Sequence, residues 1–325
     1  MHYYLTEGLA GAVHKKFVDN RTFAGAIKAQ TNALKIRNGW YLIFSPVTES
    51  QLAEIQRLRD TRYKRLRFFY LNEPETLIVK PMTISGIHEE ATSQFARMLW
   101  EKAARIRPQL GEELRDMRGT TYYGNLGSRK EADSAFRPQS SRPTRAHWPT
   151  LVVETGVSQS LGQLQVAARW WLRNSRGNVN IVLLFSVDEE NRKILIEQWE
   201  ASRPAVTTRS QSDNPAVTPI RTAFFDIPPF NPSETSPIPP VVPPPEPAAL
   251  APVDPLQPAA VAPADPAAVS VAIKLNFAKL FGREPLDRSE KDIVFTPLDL
   301  AQWTRGLWKF ELAIDETVNP PAVTV

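Results

Sequence analysis

Residues 129–160 read RKEADSAFRPQSSRPTRAHWPTLVVETGVSQS, a stretch in which two short apolar segments each carry an acid, Asp133 on the first and Glu154 on the second. Two carboxylates brought together at the ends of neighbouring strands can hold a hard divalent cation such as Mg²⁺, with Mn²⁺ as a substitute, against a phosphodiester oxygen. Glu154 follows three apolar residues in what reads as a buried strand. A carboxylate there is costly unless it is paired or bound to metal. Two readings stand for Asp133: a ligand, or a charged residue exposed to water near a strand end.

Outward from this stretch, strands alternate with amphipathic helices. In GIHEEATSQFARMLWEKAARI, residues 86–106, the apolar Ile87, Ala91, Phe95, Leu99 and Ile106 recur along one side of a helix. RDMRGTTYYG, KEADSAF and TLVVETG then read as strands. A second helix follows in SQSLGQLQVAARWWLRN, residues 158–174, with Leu161, Leu164, Ala168, Trp171 and Leu172 on its buried side. The continuous apolar run VNIVLLFSV predicts a strand covered on both faces. RKILIEQWE, joined to it through the polar turn Asp188–Asn191, reads as an edge strand closing a hairpin. Together these elements predict an α/β sandwich around a mixed sheet. Trp170 is open between base stacking and core packing, whereas Trp171 lies on the apolar stripe.

Proline sets the boundaries. Fifteen of the 29 prolines fall between Pro228 and Pro266, in a tract with four acidic and no basic side chains. Such a segment lacks the backbone donors and the apolar surface to fold, so residues 203–268 are expected to be a disordered, partly polyproline-II linker. Its run PIPPVVPPPEP suits the aromatic groove of a protein that binds Pro-rich motifs, or serves as a plain spacer. Residues 269–315 then read as a strand, VSVAIKLNFAKLF, and a helix capped by Thr296 with Pro297 at its first position. Leu300, Trp303, Leu307 and Phe310 recur on that helix at helical spacing, so the tail is expected to pack back on a core spanning residues 75–202. Residues 1–74, with a strand in GWYLIFS and a helix in TESQLAEIQRLR, form an N-terminal extension packed on that core, suited to extending its sheet.

Composition narrows the function classes. The 325 residues are 42% apolar and 23% charged with a net charge of +4, so a nucleic-acid partner requires a local basic patch. There is no cysteine, which removes disulfides and thiolate metal sites. The stretch MHYYLTEGLAGAVHKKF lacks the apolar run of a signal peptide and no run reaches membrane length, so the expected location is soluble and intracellular, cytoplasmic or nuclear. One patch qualifies: Arg57, Arg59, Arg62, Lys64, Arg65 and Arg67 surround Tyr63. Arg62, Lys64 and Arg65 are its candidate nucleic-acid contacts, through salt-sensitive phosphate interactions. The other reading is a solvated helix end running into a strand.

The helix opening with His88, the acidic strand around Asp133, WPTLVVE with the S-x-S after it, the paired tryptophans and NIVLLFSV together resemble the putative restriction endonuclease family of the PD-(D/E)XK superfamily, in its fungal branch. That resemblance covers roughly residues 75–200 and implies a restriction-endonuclease-like α/β fold, a mixed sheet flanked by helices, with the Pro-rich insertion preceding a C-terminal strand and helix. It implies a metal-dependent endonuclease in which Asp133 and Glu154 are the metal-binding acids and His88 touches a phosphate or caps its helix. The family's lysine, two residues beyond the second acid, is replaced by Gly156. In bacterial relatives the lysine lies on the second helix, a register that falls near Ala167 with Gln165 and Arg169 on either side. Arg169 or Lys130 is therefore the expected partial substitute, and Glu131 a possible extra ligand sharing the strand face of Asp133. Two functions follow: a Mg²⁺-dependent phosphodiesterase using Asp133, Glu154 and Arg169, or a non-catalytic module that binds nucleic acid or protein on the same fold.

Overall fold

The computed structural model describes residues 9, 12–34, 41–64, 66–81, 86–118, 120–157, 161–202, 217–227 and 273–318. Its N-terminal elements are β1 (Val13–Lys16), α1 (Asn20–Leu34), β2 (Leu42–Ser45), α2 (Glu49–Arg62), β3 (Leu66–Leu71) and β4 (Thr76–Pro81). There follow α3 (Gly86–Ile106), α4 (Pro108–Glu113), β5 (Leu114–Asp116), β6 (Thr121–Tyr123), β7 (Arg129–Glu131), β8 (Ser134–Pro138) and β9 (Leu151–Val157). The chain continues through α5 (Leu161–Asn174), β10 (Ile181–Asp188), β11 (Lys193–Ser202) and β12 (Thr218–Ile227), then β13 (Ile273–Leu275), α6 (Phe277–Phe281), β14 (Ile293–Phe295) and α7 (Pro297–Val318).

These elements make an α/β protein with two six-stranded mixed sheets. The first has the order β1-β2-β4-β3-β7-β6 and the second β12-β11-β10-β9-β8-β5. In the second sheet the apolar runs of β9 and β10 lie parallel at its centre, because the connection between them is the helix α5. Alternation then divides β9 between two cores. Leu151 and Val153 face α3, where Ile87, Ala91, Phe95 and Leu99 meet them, while Val152 faces α5 with Leu164, Ala168, Trp170 and Trp171. That second core also takes in Ile43, Phe69 and Ile78 of the first sheet, so the two sheets share one apolar layer with α5. A third core lies on the outer side of the first sheet, where Phe23, Ile27, Leu52 and Ile55 of α1 and α2 cover it. Each buried large side chain contributes about 1.5–3 kcal/mol relative to exposure.

Four features differ from the sequence reading. KEADSAF is not one strand: it breaks at Ala132 and Asp133, with β7 joining the first sheet and β8 the second. Residues 1–74 do not extend the sheet around β9 and β10: they contribute β1, β2 and β3 to the first sheet, which β4, β7 and β6 from beyond residue 75 complete, and the expected boundary at 74/75 falls in the β3–β4 turn. β11 is interior, because β12 pairs along it from Ser202↔Thr218 to Ile194↔Ile227. β12 itself lies in the span read as linker. Its TPIRTAFFDI is rich in β-branched and aromatic residues and ends immediately before the prolines that dominate the composition of that window. The tract from Pro228 to Pro266, including PIPPVVPPPEP, lies outside the described residues.

The C-terminal segment is tied to α3 by polar and aromatic contacts. Thr296 and Asp299 exchange hydrogen bonds at the start of α7, with Thr296 N donating to Asp299 Oδ2 at 2.7 Å and Asp299 N donating to Thr296 Oγ1 at 3.2 Å. Trp303 Nε1 donates to the Ala91 carbonyl at 3.2 Å, and Phe295 stacks on Phe95 at 5.0 Å. Before β14, Glu290 accepts from Arg283 Nη1 at 2.7 Å and from Leu286 N at 2.7 Å, and pairs with Arg107, just after α3, at 3.4 Å.

The Arg283 hydrogen bonds outweigh the cost of burial and hold the Glu290 carboxyl down from 4.5 to about 2. A depressed carboxylate contributes stability that is present above its unfolded value and lost as pH falls through the folded one. Thermal melts of Glu290→Gln are therefore expected to show a lower midpoint at neutral pH and a flatter decline below about pH 4.5 than the parent. A variant that keeps the parent's full acid slope contradicts this role.

Candidate functional site

Strand register brings the two acids together. β8 and β9 pair antiparallel with Ser134↔Val153 and Ala135↔Val152, and Asp133, one residue before β8, meets β9 at Thr155 N, the residue after Glu154. The first sheet contributes the opposite wall. Arg67↔Lys80 and Phe69↔Ile78 are partners across β3 and β4, and Phe69↔Lys130 across β3 and β7. Residues 67 and 69 of one strand share a face, and cross-strand partners share it with them. Lys80, Arg67, Phe69 and Lys130 therefore point to one side, and with Tyr41, Phe68, Ile78, Glu131, Asp133 and Glu154 they line a narrow cleft. It contains about 240 Å³ not filled by atoms, part of it open to solvent.

Asp133 and Glu154 each meet a lysine in this cleft. Lys80 Nζ lies 2.8 Å from Asp133 Oδ2 and donates a second hydrogen bond, also 2.8 Å, to the Thr155 carbonyl. Thr155 N donates to the same Asp133 oxygen at 2.9 Å. Lys130 Nζ lies 3.1 Å from Glu154 Oε1, which also accepts from Trp171 Nε1 at 2.6 Å. The Lys130 ammonium is held over the rings of Phe69 at 5.5 Å and Trp171 at 5.9 Å. Asp133 is 5% exposed and Glu154 2%, so these pairs exchange water for protein partners almost completely.

The electrostatics follow from that burial. Desolvation alone would raise the Asp133 carboxyl, but the cations of Lys80 and His88 overcome it and hold the group well below the usual carboxylate range. Burial likewise opposes charge on Lys80, and the Asp133 carboxylate, assisted by Tyr41 and Glu154, keeps its ammonium above the ordinary lysine value. His88 is raised for the same reason, burial being outweighed by Asp133. Its Nε2 lies 3.4 Å from Asp133 Oδ2, an ionic approach without hydrogen-bond geometry.

The remaining sequence candidates are distributed more widely. Glu131 lines the cleft but is occupied by arginines: it is hydrogen-bonded to Arg59, lies 3.9 Å from Arg67 Nη1, and accepts from Thr121 Oγ1 at 2.9 Å. Arg59 and Arg67 thus turn inward and leave the basic cluster, whose Arg57, Arg62 and Lys64 are exposed, with Arg62 over the Tyr63 ring at 5.7 Å. Arg65 lies outside the described residues, as do Ser158 and Ser160. Trp170 and Trp171 are both fully buried and belong to the core, crossing edge to face at 5.0 Å.

Of the two expected substitutes for the missing lysine, Lys130 lines the cleft and Arg169 does not. Arg169 stacks instead on Trp199 of β11 at 5.2 Å. The reason is helical: Trp171 is the residue of α5 that reaches Glu154, and a position two residues away is turned by about 200°. Lys80 is the residue that sequence reading missed. Its signal is a lysine in the apolar strand TLIVKP, in phase with the inward Ile78, where a buried ammonium requires an acid.

Among the described residues, no group of three or more His, Cys, Asp or Glu side chains is arranged to hold a metal ion. The donors of the kind a hard divalent ion takes are the two carboxylates and the Thr155 carbonyl, and of these the Lys80 ammonium contacts Asp133 and the carbonyl. No helix among the described residues is long and apolar enough to cross a membrane. No protein-family model matches the chain, and no curated protein matches it. Among solved structures, the chain is similar to one described as a putative nuclease belonging to DUF820 from Anabaena variabilis, at 15% identity over 44% of this chain and 82% of that one, with a TM-score of 0.30.

The two cations make a direct comparison. Lys130→Met leaves Glu154 buried without its counter-charge and is expected to cost about 3–5 kcal/mol in denaturant unfolding. Arg169→Ala removes a ring contact worth roughly 0.5–2 kcal/mol. The reverse order of effects would contradict the placement of both residues.

Proposed function

We propose that the protein is a nucleic-acid phosphodiesterase that uses a divalent metal, with Asp133 and Glu154 as its acids and Lys130 as the cation absent from position 156. The observation carrying this reading is Lys130 Nζ, 3.1 Å from Glu154 Oε1 and on the same cleft wall as Lys80. It supports a lysine contributed by β7 rather than by β9. Asp133, Glu154 and the Thr155 carbonyl would hold Mg²⁺ or Mn²⁺, which when bound supplies Lewis-acid polarisation of a phosphoryl oxygen and an acidified water. Lys130, kept between Phe69 and Trp171, holds positive charge where a phosphate gains negative charge. Trp171 fixes the orientation of Glu154, and Lys80, with His88 after it, holds the Asp133 carboxyl below its ordinary range. The exposed Arg57, Arg62 and Lys64 offer salt-sensitive phosphate contacts.

A second reading is favoured by one specific observation. Both acids are nearly inaccessible, and each is compensated by a lysine. This suits a non-catalytic module that binds nucleic acid or protein on a nuclease-like fold. Cleavage of single- and double-stranded DNA and RNA in millimolar Mg²⁺ or Mn²⁺ separates the two. The proposal expects metal-dependent cleavage that falls roughly 100-fold or more in Asp133→Asn, Glu154→Gln and Lys130→Met and changes little in Arg169→Ala. Salt-sensitive binding with no cleavage in any metal would establish the second reading.

A further inference from the structure

The lysine held tightest at this centre comes from neither strand that carries the acids. Lys80 belongs to β4, in the first sheet, and crosses to the second to place Nζ 2.8 Å from Asp133 Oδ2 and 2.8 Å from the Thr155 carbonyl. Both acceptors are oxygens, one anionic and one from the main chain, which is the donor chemistry that hard divalent ions select. The ammonium is 6% exposed, and the Asp133 oxygen it meets is already fixed by Thr155 N at 2.9 Å. A side chain needed only to neutralise Asp133 would not have to engage the carbonyl as well. An ammonium bridging both acceptors occupies a cation position.

We propose that Lys80 is a tethered cation that fills the divalent-ion position between Asp133 and the Thr155 carbonyl, so that the first sheet holds the centre closed to metal until Lys80 Nζ withdraws. This rests on the reading of Asp133 and Glu154 as a metal-binding pair. It goes further by assigning to the accessory sheet control over whether the ion enters. A divalent ion and the Lys80 ammonium then exclude each other, and removing the ammonium frees the Thr155 carbonyl and leaves Asp133 with His88, 3.4 Å away, as its neighbouring cation.

The test is Mn²⁺ and Mg²⁺ titration calorimetry, with thermal melts in the presence and absence of Mn²⁺, on the full-length parent, Lys80→Ala and Lys80→Gln. The glutamine keeps a hydrogen-bonding side chain of similar length without the charge. Both variants are expected to bind Mn²⁺ at least tenfold more tightly than the parent and to melt higher when it is added, while the parent's midpoint rises far less at the same Mn²⁺ concentration. Adding Asp133→Asn to either variant is expected to abolish the gain. Equal affinity in parent and variants overturns the proposal, as does a folded variant that binds no metal or an unfolded one that Mn²⁺ does not restore. Tighter binding in the variants without cleavage of any nucleic acid would leave the role of Lys80 standing and defeat the phosphodiesterase reading.

Discussion

A carboxylate removed from water must be given a partner of opposite charge, and two of the buried acids, Asp133 just before β8 and Glu154 on β9, lie side by side in one cleft. The partners come from another sheet. Lys80 and Lys130 flank β3, on the face of the first sheet that turns toward the second, and each reaches one acid. This constraint fixes the register between two sheets that, among the described residues, share no strand pairing, since sliding one past the other would strand four charges in an apolar layer. The surrounding aromatic side chains of Phe69, Trp170, Trp171, Tyr122 and Trp148 fill that layer and keep water from screening the pairs.

The break at Ala132–Asp133 is what makes the pairing possible. Because the chain leaves the first sheet at Glu131 and enters the second at Ser134, Asp133 stands at the crossing, within reach of β4, β9 and the start of α3. Glu131, one step earlier, remains with the first sheet and takes its cations from Arg59 and Arg67. Two acids separated by a single residue thus serve two different charge networks. Alternation along one strand had placed them on a common face.

The parts of the fold legible in the sequence are those set by local periodicity. The stripe on α3, the apolar runs of β9 and β10, and the position of Trp171 on the buried side of α5 follow from spacing alone, and the structure places them in the cores. The two acids were legible because a charge in an apolar strand is conspicuous. Lys80 satisfies the same criterion, yet nothing within 50 residues of it announces its partner. The pairing depends on which sheet each strand joins, and that is decided by contacts distant in sequence. Arg169 failed for a related reason: its charge was visible, but its direction depends on which face of α5 meets β9, and Trp171 already occupies that face. The strand β12 was hidden by averaging its ten residues with the prolines after them.

The central claim is that the ion pair between Lys80 and Asp133 couples the two sheets. A double-mutant cycle of Lys80→Met and Asp133→Asn, followed by denaturant unfolding in the presence of a chelator, measures that coupling directly. The expected result is strong non-additivity, near the upper end of the roughly 0.5–3 kcal/mol seen for residues in contact, with the double variant more stable than the sum of the single losses. Additivity within about 0.5 kcal/mol would show that the two charges do not interact in the folded protein, and would contradict the account.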